Sequence, residues 1–220
     1  MARLSRQPVI AAALLLALFA VAGTTLVALT EQQTRERIAD NQLQALLSSL
    51  HALVPAETID NDIANDSVTV SDPTRLGGAE TLVYLGRRAG RPVAAVFTSM
   101  VPDGYSGPIR LLVAVRSNGT LGGVRVVSHK ETPGLGDKTE ERKGDWIHGF
   151  LGKSLTNPGI ERWKVKRDGG DFDQFTGATI TPRSIVKAVK NTLLYYRDHG
   201  DGLFRPAPRG TQTDRREPHG

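Results

Sequence analysis

The chain has 220 residues, 39% hydrophobic and 23% charged, a composition typical of globular proteins, so disorder is not the expectation for most of it. It contains no cysteine, which excludes disulfide frameworks, thiolate metal sites, cysteine-bound clusters and thiol catalysis, and leaves the fold indifferent to an oxidising compartment. Its net charge of +5 arises from 28 Lys and Arg against 23 Asp and Glu, dispersed without a basic stripe interleaved with aromatics, so no nucleic-acid partner is expected.

After Arg3 and Arg6, residues 8–29 read "PVIAAALLLALFAVAGTTLVAL" without a charge. At about 1.5 Å per helical residue this run is long enough for a ~30 Å hydrocarbon core, and a single transmembrane helix is predicted. The rival reading is a cleaved signal peptide, for which Ala20-Val21-Ala22 offers small residues, but the apolar run continues past that point. Arg3 and Arg6 on the near side, against Arg35 and Arg37 interleaved with acids on the far side, favour a cytoplasmic amino terminus of residues 1–7. The large remainder then lies outside the cytoplasm.

Residues 30–60 are expected to form a helical stalk or first packed helix. Leu43, Leu46, Leu47, Leu50, Leu53 and Val54 recur at helical spacing until Pro55. From Ser67 the pattern turns to β: "SVTV", "TLVYLG", "PVAAVFT", "PIRLLVAV" and "GGVRVVS" are short apolar runs divided by turn residues, among them Arg88-Ala89-Gly90-Arg91 and the hairpin signal Asn118-Gly119. A helix is predicted over 145–155, with Trp146, Ile147, Phe150 and Leu151 on one face, and a strand over 163–167. The last helix begins with Thr181 as N-cap and Pro182 at its first position, carries Val186, Val189, Leu193 and Tyr196 on its buried stripe, and ends near Arg197. The polar, Pro-rich residues 201–220 read as a disordered tail. Antiparallel strands with helices at the ends define an α+β domain over 61–200.

Two stretches invite a chemical reading. "HKETPGLGDKT", His129 to Thr139, is a glycine loop, but Asp137 separates Gly136 from Lys138, so it is not a phosphate-binding P-loop, and it lacks the spacing of a dinucleotide fingerprint. It is either a plain turn or a loop allowing close backbone approach to a ligand. "DFDQFTGATITP", Asp171 to Pro182, sets Thr176-Gly177-Ala178-Thr179 before a helix start, whose unpaired N–H groups suit an anion. These residues read equally as ordinary capping chemistry. No base is legible beside either threonine, so a self-activated nucleophile is not indicated. There is no G-x-S-x-G, no H-E-x-x-H and no calcium loop, and His51, His129, His148, His199 and His219 show no ligand spacing, so neither a catalytic residue nor a metal site is expected. The acids of "DKTEERKGD" read as a solvated helix start.

Taken together, the amino-terminal apolar helix, "KETPGLGDK" and "DxxTGAT" closely resemble the FMN-binding family formed by the G subunits of Rnf electron-transport complexes and, more distantly, the C subunits of the sodium-pumping NADH:quinone oxidoreductase. The resemblance runs from the anchor to about residue 200. It implies FMN carried covalently as a phosphoester on Thr179, with Asp173, Thr176, Gly177 and Ala178 completing the attachment motif; Thr176 stands where serine is commoner. It further implies that Glu131, Thr132, Pro133, Gly134, Leu135, Gly136 and Lys138 lie beside the flavin, with Thr181 at the supporting helix start. The implied partners are a separate flavin transferase, the membrane, and the other subunits of an ion-translocating complex. The implied role is electron relay by a domain on the periplasmic side of the bacterial inner membrane. The alternatives are the C-type subunit of the sodium pump or another flavinylated membrane redox protein and, outside this class, a cofactor-free, membrane-anchored binding or scaffold domain.

Overall fold

The computed structural model describes residues 6–205, which fall into two units divided after Ser48. The predicted cytoplasmic terminus therefore lies mostly outside the described residues, as does the tail beyond Arg205. Helix α1 runs without a break over Arg6–Leu53, where the sequence pattern predicts two successive helices. No proline or glycine interrupts residues 24–53, so nothing in the sequence ends the first helix before the second begins. The helix is long and apolar enough to cross a membrane, and the side chains of its apolar stretch are exposed.

The second unit is built on a five-stranded antiparallel meander in sequential order: β1 (Ser67–Val70), β2 (Thr81–Arg88), β3 (Arg91–Val101), β4 (Ile109–Arg116) and β5 (Leu121–Ser128). All five predicted strands are present. The β2–β3 turn places Ala89 at φ 48° and Gly90 at φ 73°, the paired left-handed residues of a type I′ hairpin. Ala89 is held there by its N–H, which donates to Asp60 Oδ2 at 2.7 Å. A short helix α2 (Pro73–Leu76), capped by Asp72, links β1 to β2.

Strand alternation divides the sheet's two faces. Leu111, Val113 and Val115 join the main core with Phe97, Val186, Val189 and Leu193 of the final helix α3 (Ile180–Leu203). Across that interface the Ser99 and Thr192 hydroxyls share a buried hydrogen bond of 2.8 Å. The opposite face buries Leu112 and Ala114, with Leu50, Leu53, Val54 and Ile63 also withdrawn from solvent. There Gly123 admits Leu53, whose Cδ2 would lie 2.8 Å from any added Cβ. Leu50, Leu53 and Val54 thus confirm the last part of the predicted apolar face, whereas Leu43 is exposed.

Three local predictions are corrected. Residues 145–155 form only a 3-10 helix, Trp146–Phe150, because the backbone beyond it pairs elsewhere: Gly152 N–H donates to Leu121 C=O and Leu121 N–H to Lys153 C=O. The strand expected over 163–167 is a single bridge, Val165 with Phe172, since Gly169 and Gly170 fold the chain back on itself before it reaches the sheet. Helix α3 continues to Leu203, itself buried, beyond the end expected at Arg197, so the first residues assigned to the tail are helical.

Candidate functional site

The two stretches singled out in the sequence form tight turns by the same device. In Thr132-Pro133-Gly134-Leu135, the Leu135 N–H donates to Thr132 C=O at 3.1 Å and Gly134 adopts φ 80°. Proline at the second position and left-handed glycine at the third define a type II turn. In Phe175-Thr176-Gly177-Ala178, the Ala178 N–H reaches Phe175 C=O at 3.1 Å and Gly177 adopts φ 82°. Each turn presents the residues that follow it, Leu135 and Gly136 in one case and Ala178 and Thr179 in the other, to the same cavity.

That cavity, about 370 Å³, is lined from both motifs by Glu131, Thr132, Leu135, Gly136 and the run from Gly177 to Thr181. Tyr105, from the loop between β3 and β4, and Arg167 complete the lining. Its size lies within the roughly 300–1,000 Å³ of small-molecule sites. Pro133, Gly134, Lys138, Asp173 and Thr176 do not line it. Pro133, Gly134 and Thr176 shape the turns; Lys138 is exposed; Asp173 pairs with Lys166 Nζ at 2.6 Å on the surface. Tyr105, Arg167 and Ile180 carry no signal in the sequence, because each reaches the cavity from a segment whose placement depends on the fold.

Glu131 organises the inner wall. Though 95% withdrawn from solvent, its carboxylate is well satisfied: Oε1 accepts the Ser106 N–H at 2.9 Å and Oε2 accepts the Thr181 hydroxyl. One side chain thus ties the β3–β4 loop to the start of α3. Ser184 Oγ, donating to Asp103 C=O at 2.8 Å, ties the same loop further along the helix. The Glu131 N–H donates to His129 Nδ1 at 3.0 Å, leaving His129 Nε2 as the donor to Glu140 Oε1 at 2.9 Å. Gly136 has no room for a side chain, since a Cβ there would sit 2.5 Å from Glu131 Oε2 and 2.9 Å from Thr181 Oγ1.

Thr181 is therefore not the N-cap predicted from the sequence. Helix α3 starts at Ile180, two residues earlier than expected, so the cap position falls to Thr179, and Thr179 makes no side-chain capping bond. Its hydroxyl is not engaged in holding the helix, while the helix's first N–H groups and positive dipole end lie beside it. The acidic stretch 137–145 is also corrected. Asp137 is buried and paired with Lys143 Nζ at 2.8 Å, and Lys143 also holds Glu140 at 2.9 Å. Lys143 draws both carboxyls below their usual range, His129 adding to the effect on Glu140, and the two carboxylates raise the Lys143 ammonium above its own.

The outer wall rests on aromatic packing. Phe150, Trp163 and Phe172 stack with centroids 4.8–6.2 Å apart, and Trp146 donates its indole N–H to Asp173 C=O at 2.7 Å while its ring meets Phe175 edge-on. This cluster fixes the segment leading into the Phe175–Ala178 turn.

An α+β domain with a cleft at a helix start, following an apolar amino-terminal helix, places the chain among FMN-binding-domain proteins: residues 104–194 match the FMN-binding domain family, and residues 1–53 match the RnfG N-terminal region. The chain is 46% identical over 199 residues to the G subunit of the ion-translocating oxidoreductase complex of Shewanella oneidensis, covering 90% of this chain and 94% of that one. It is 47% identical over 203 residues to the protein of the same name from Pseudomonas aeruginosa, covering 92% and 95%. With the like-named protein of Pseudoalteromonas atlantica it shares 48% identity over 192 residues, 87% and 89% of the two chains. The chain belongs to the RnfG family, the G subunits of ion-translocating oxidoreductase complexes.

Proposed function

We propose that this chain is an electron-relay flavoprotein, carrying FMN as a phosphoester on Thr179 and passing electrons between redox centres of a membrane complex that couples their flow to ion translocation. The observation that carries this reading is Thr179 itself, which lines the cavity, makes no capping bond and stands at the amino-terminal end of α3. A phosphodiester there gains from the helix's free N–H groups and dipole. Gly136 lets the loop close on the Glu131–Thr181 bond that forms the inner wall, and Leu135, Ile180 and Tyr105 supply apolar contact for a flat ring. FMN, when bound, supplies the redox chemistry, and the chain supplies its position.

Attachment falls to a separate flavin transferase, in keeping with a Thr179 hydroxyl that no basic side chain engages among the described residues. The exposed Asp173 and the Thr176 turn are the parts of the motif left for that enzyme to read. In this reading α1 anchors the chain in the bacterial inner membrane, the domain faces the periplasm, and the partners are the other subunits of the complex. A covalent link prevents loss of the cofactor by diffusion.

The test is co-expression of the full chain with a flavin transferase, followed by a denaturing gel read for flavin fluorescence. A fluorescent band that vanishes in Thr179→Ala supports the assignment. A dark wild-type band in cells that flavinylate a control protein overturns the covalent assignment to Thr179.

A further inference from the structure

We infer that Arg167 is the counter-charge for the phosphate at this site, a role that rests on the flavin reading above. Among the described residues that line the cavity, Arg167 is the only cation. Of the neighbouring cations, Arg162 is committed to Asp171, Lys166 to Asp173 at 2.6 Å, and Arg183 to Asp168 through two contacts of 2.6 and 2.8 Å, while the exposed Lys164 does not line the cavity. The exposed Arg167 guanidinium makes no hydrogen bond or close ion pair among the described residues; it acts only through space on the Asp168 carboxylate, which Arg183 already holds. Glu131, the only acid lining the cavity among these residues, already accepts from Ser106 and Thr181.

The backbone of Arg167 is nevertheless well placed. Its N–H donates to Gln174 Oε1 at 3.2 Å, joining it to the segment that leads into the Thr176 turn. The adjacent Asp168 grips Arg183 in the first turn of α3, fixing the 3-10 turn Lys166–Asp168 against the helix start. A guanidinium lining the same cavity as the amino-terminal end of α3 makes a two-part anion site: the helix N–H groups on one side and a planar, permanently charged fork on the other. Arginine's geometry suits two phosphate oxygens at once, and a phosphodiester on Thr179 leaves one negative charge to be balanced. Arg167 would thus act as a positioning residue for the cofactor's phosphate end.

The experiment uses the full-length chain co-expressed with limiting flavin transferase, as wild type, Arg167→Ala and Arg167→Lys. Covalent flavin occupancy is read by intact mass, the phosphodiester by its 31P resonance, and folding by thermal unfolding. Arg167→Ala is expected to lower occupancy about fivefold, the scale of a part-exposed ion pair, and to move the 31P resonance of the fraction that is flavinylated. Arg167→Lys should recover most of the occupancy, and the unfolding temperature should stay constant. An unchanged occupancy and resonance in Arg167→Ala overturns the inference while leaving the flavin reading intact. A loss that lysine does not restore, accompanied by a lower unfolding temperature, marks a structural role and also overturns it. A dark wild-type chain overturns the flavin reading and the role of Arg167 with it.

Discussion

The Thr181 hydroxyl donates to Glu131 Oε2, joining residues 50 positions apart and locking the glycine loop to the start of α3. The other carboxylate oxygen accepts from the part-buried Ser106 N–H, so Glu131→Ala leaves the buried Thr181 hydroxyl and that N–H without their acceptor at once. The expected cost is about 1–3 kcal/mol, chiefly from the buried Thr181 hydroxyl, since water can reach the Ser106 N–H. Chemical denaturation of the detergent-solubilised chain measures it, and faster hydrogen exchange over residues 103–107 should report release of the β3–β4 loop. Glu131→Gln keeps an acceptor and should lose less.

Gly136 is expected to tolerate no side chain. The Cβ of Gly136→Ala would press on Glu131 and Thr181 together, and relief requires moving the bond between them. We expect a loss of about 1–3 kcal/mol, as for overpacking of a close-packed site, measured by the same denaturation assay. Gly134→Ala, at φ 80° but with open space around it, should cost less than the clash at Gly136 and leave the cavity wall in place.

Thr179→Ala should separate a chemical handle from a helix cap. Removing a capping hydroxyl ordinarily costs about 0.5–2 kcal/mol. Thr179 makes no such bond, so the substitution should change the unfolding free energy by less than about 0.5 kcal/mol. Thr181→Val, which removes a donor to a buried carboxylate, should destabilise clearly in the same assay.

The cluster of Asp137, Glu140 and Lys143 predicts a pH response with a definite sign. Both carboxyls are depressed in the folded state, chiefly by Lys143, so their contribution is present above the ordinary carboxylate range and is lost as pH falls through their lowered values. Lys143 is raised, so its contribution is present below its ordinary value and is lost as pH rises through the elevated one. Lys143→Met should flatten both limbs of the stability profile measured by thermal unfolding across pH. An acid limb as steep as in wild type would contradict this assignment.

Much of the scaffold is legible because it is written in local pattern. The five strands follow from short β-branched runs, and the hairpins from Ala89-Gly90 and Asn118-Gly119. The Thr179 motif and the glycine loop are also legible, as two stretches of unusual composition. Residues 145–155 and 163–167 mislead because their hydrophobic residues serve an aromatic cluster rather than a helix face or a ladder. Periodicity records which residues are buried but not which element buries them.

The apolar helix, the five β runs and the amphipathic α3 are legible in the amino-acid sequence alone, since each is a pattern among neighbouring residues. The fold was needed to show that Glu131 binds Thr181, that Asp137 is buried with Lys143, and that Tyr105 and Arg167 share a cavity with Thr179. Those relationships join segments through sheet register, the grip of Asp168 on Arg183 and the packing of Trp146 on Phe175. They are long-range contacts, and they exist only once the whole core has fixed where each loop can go.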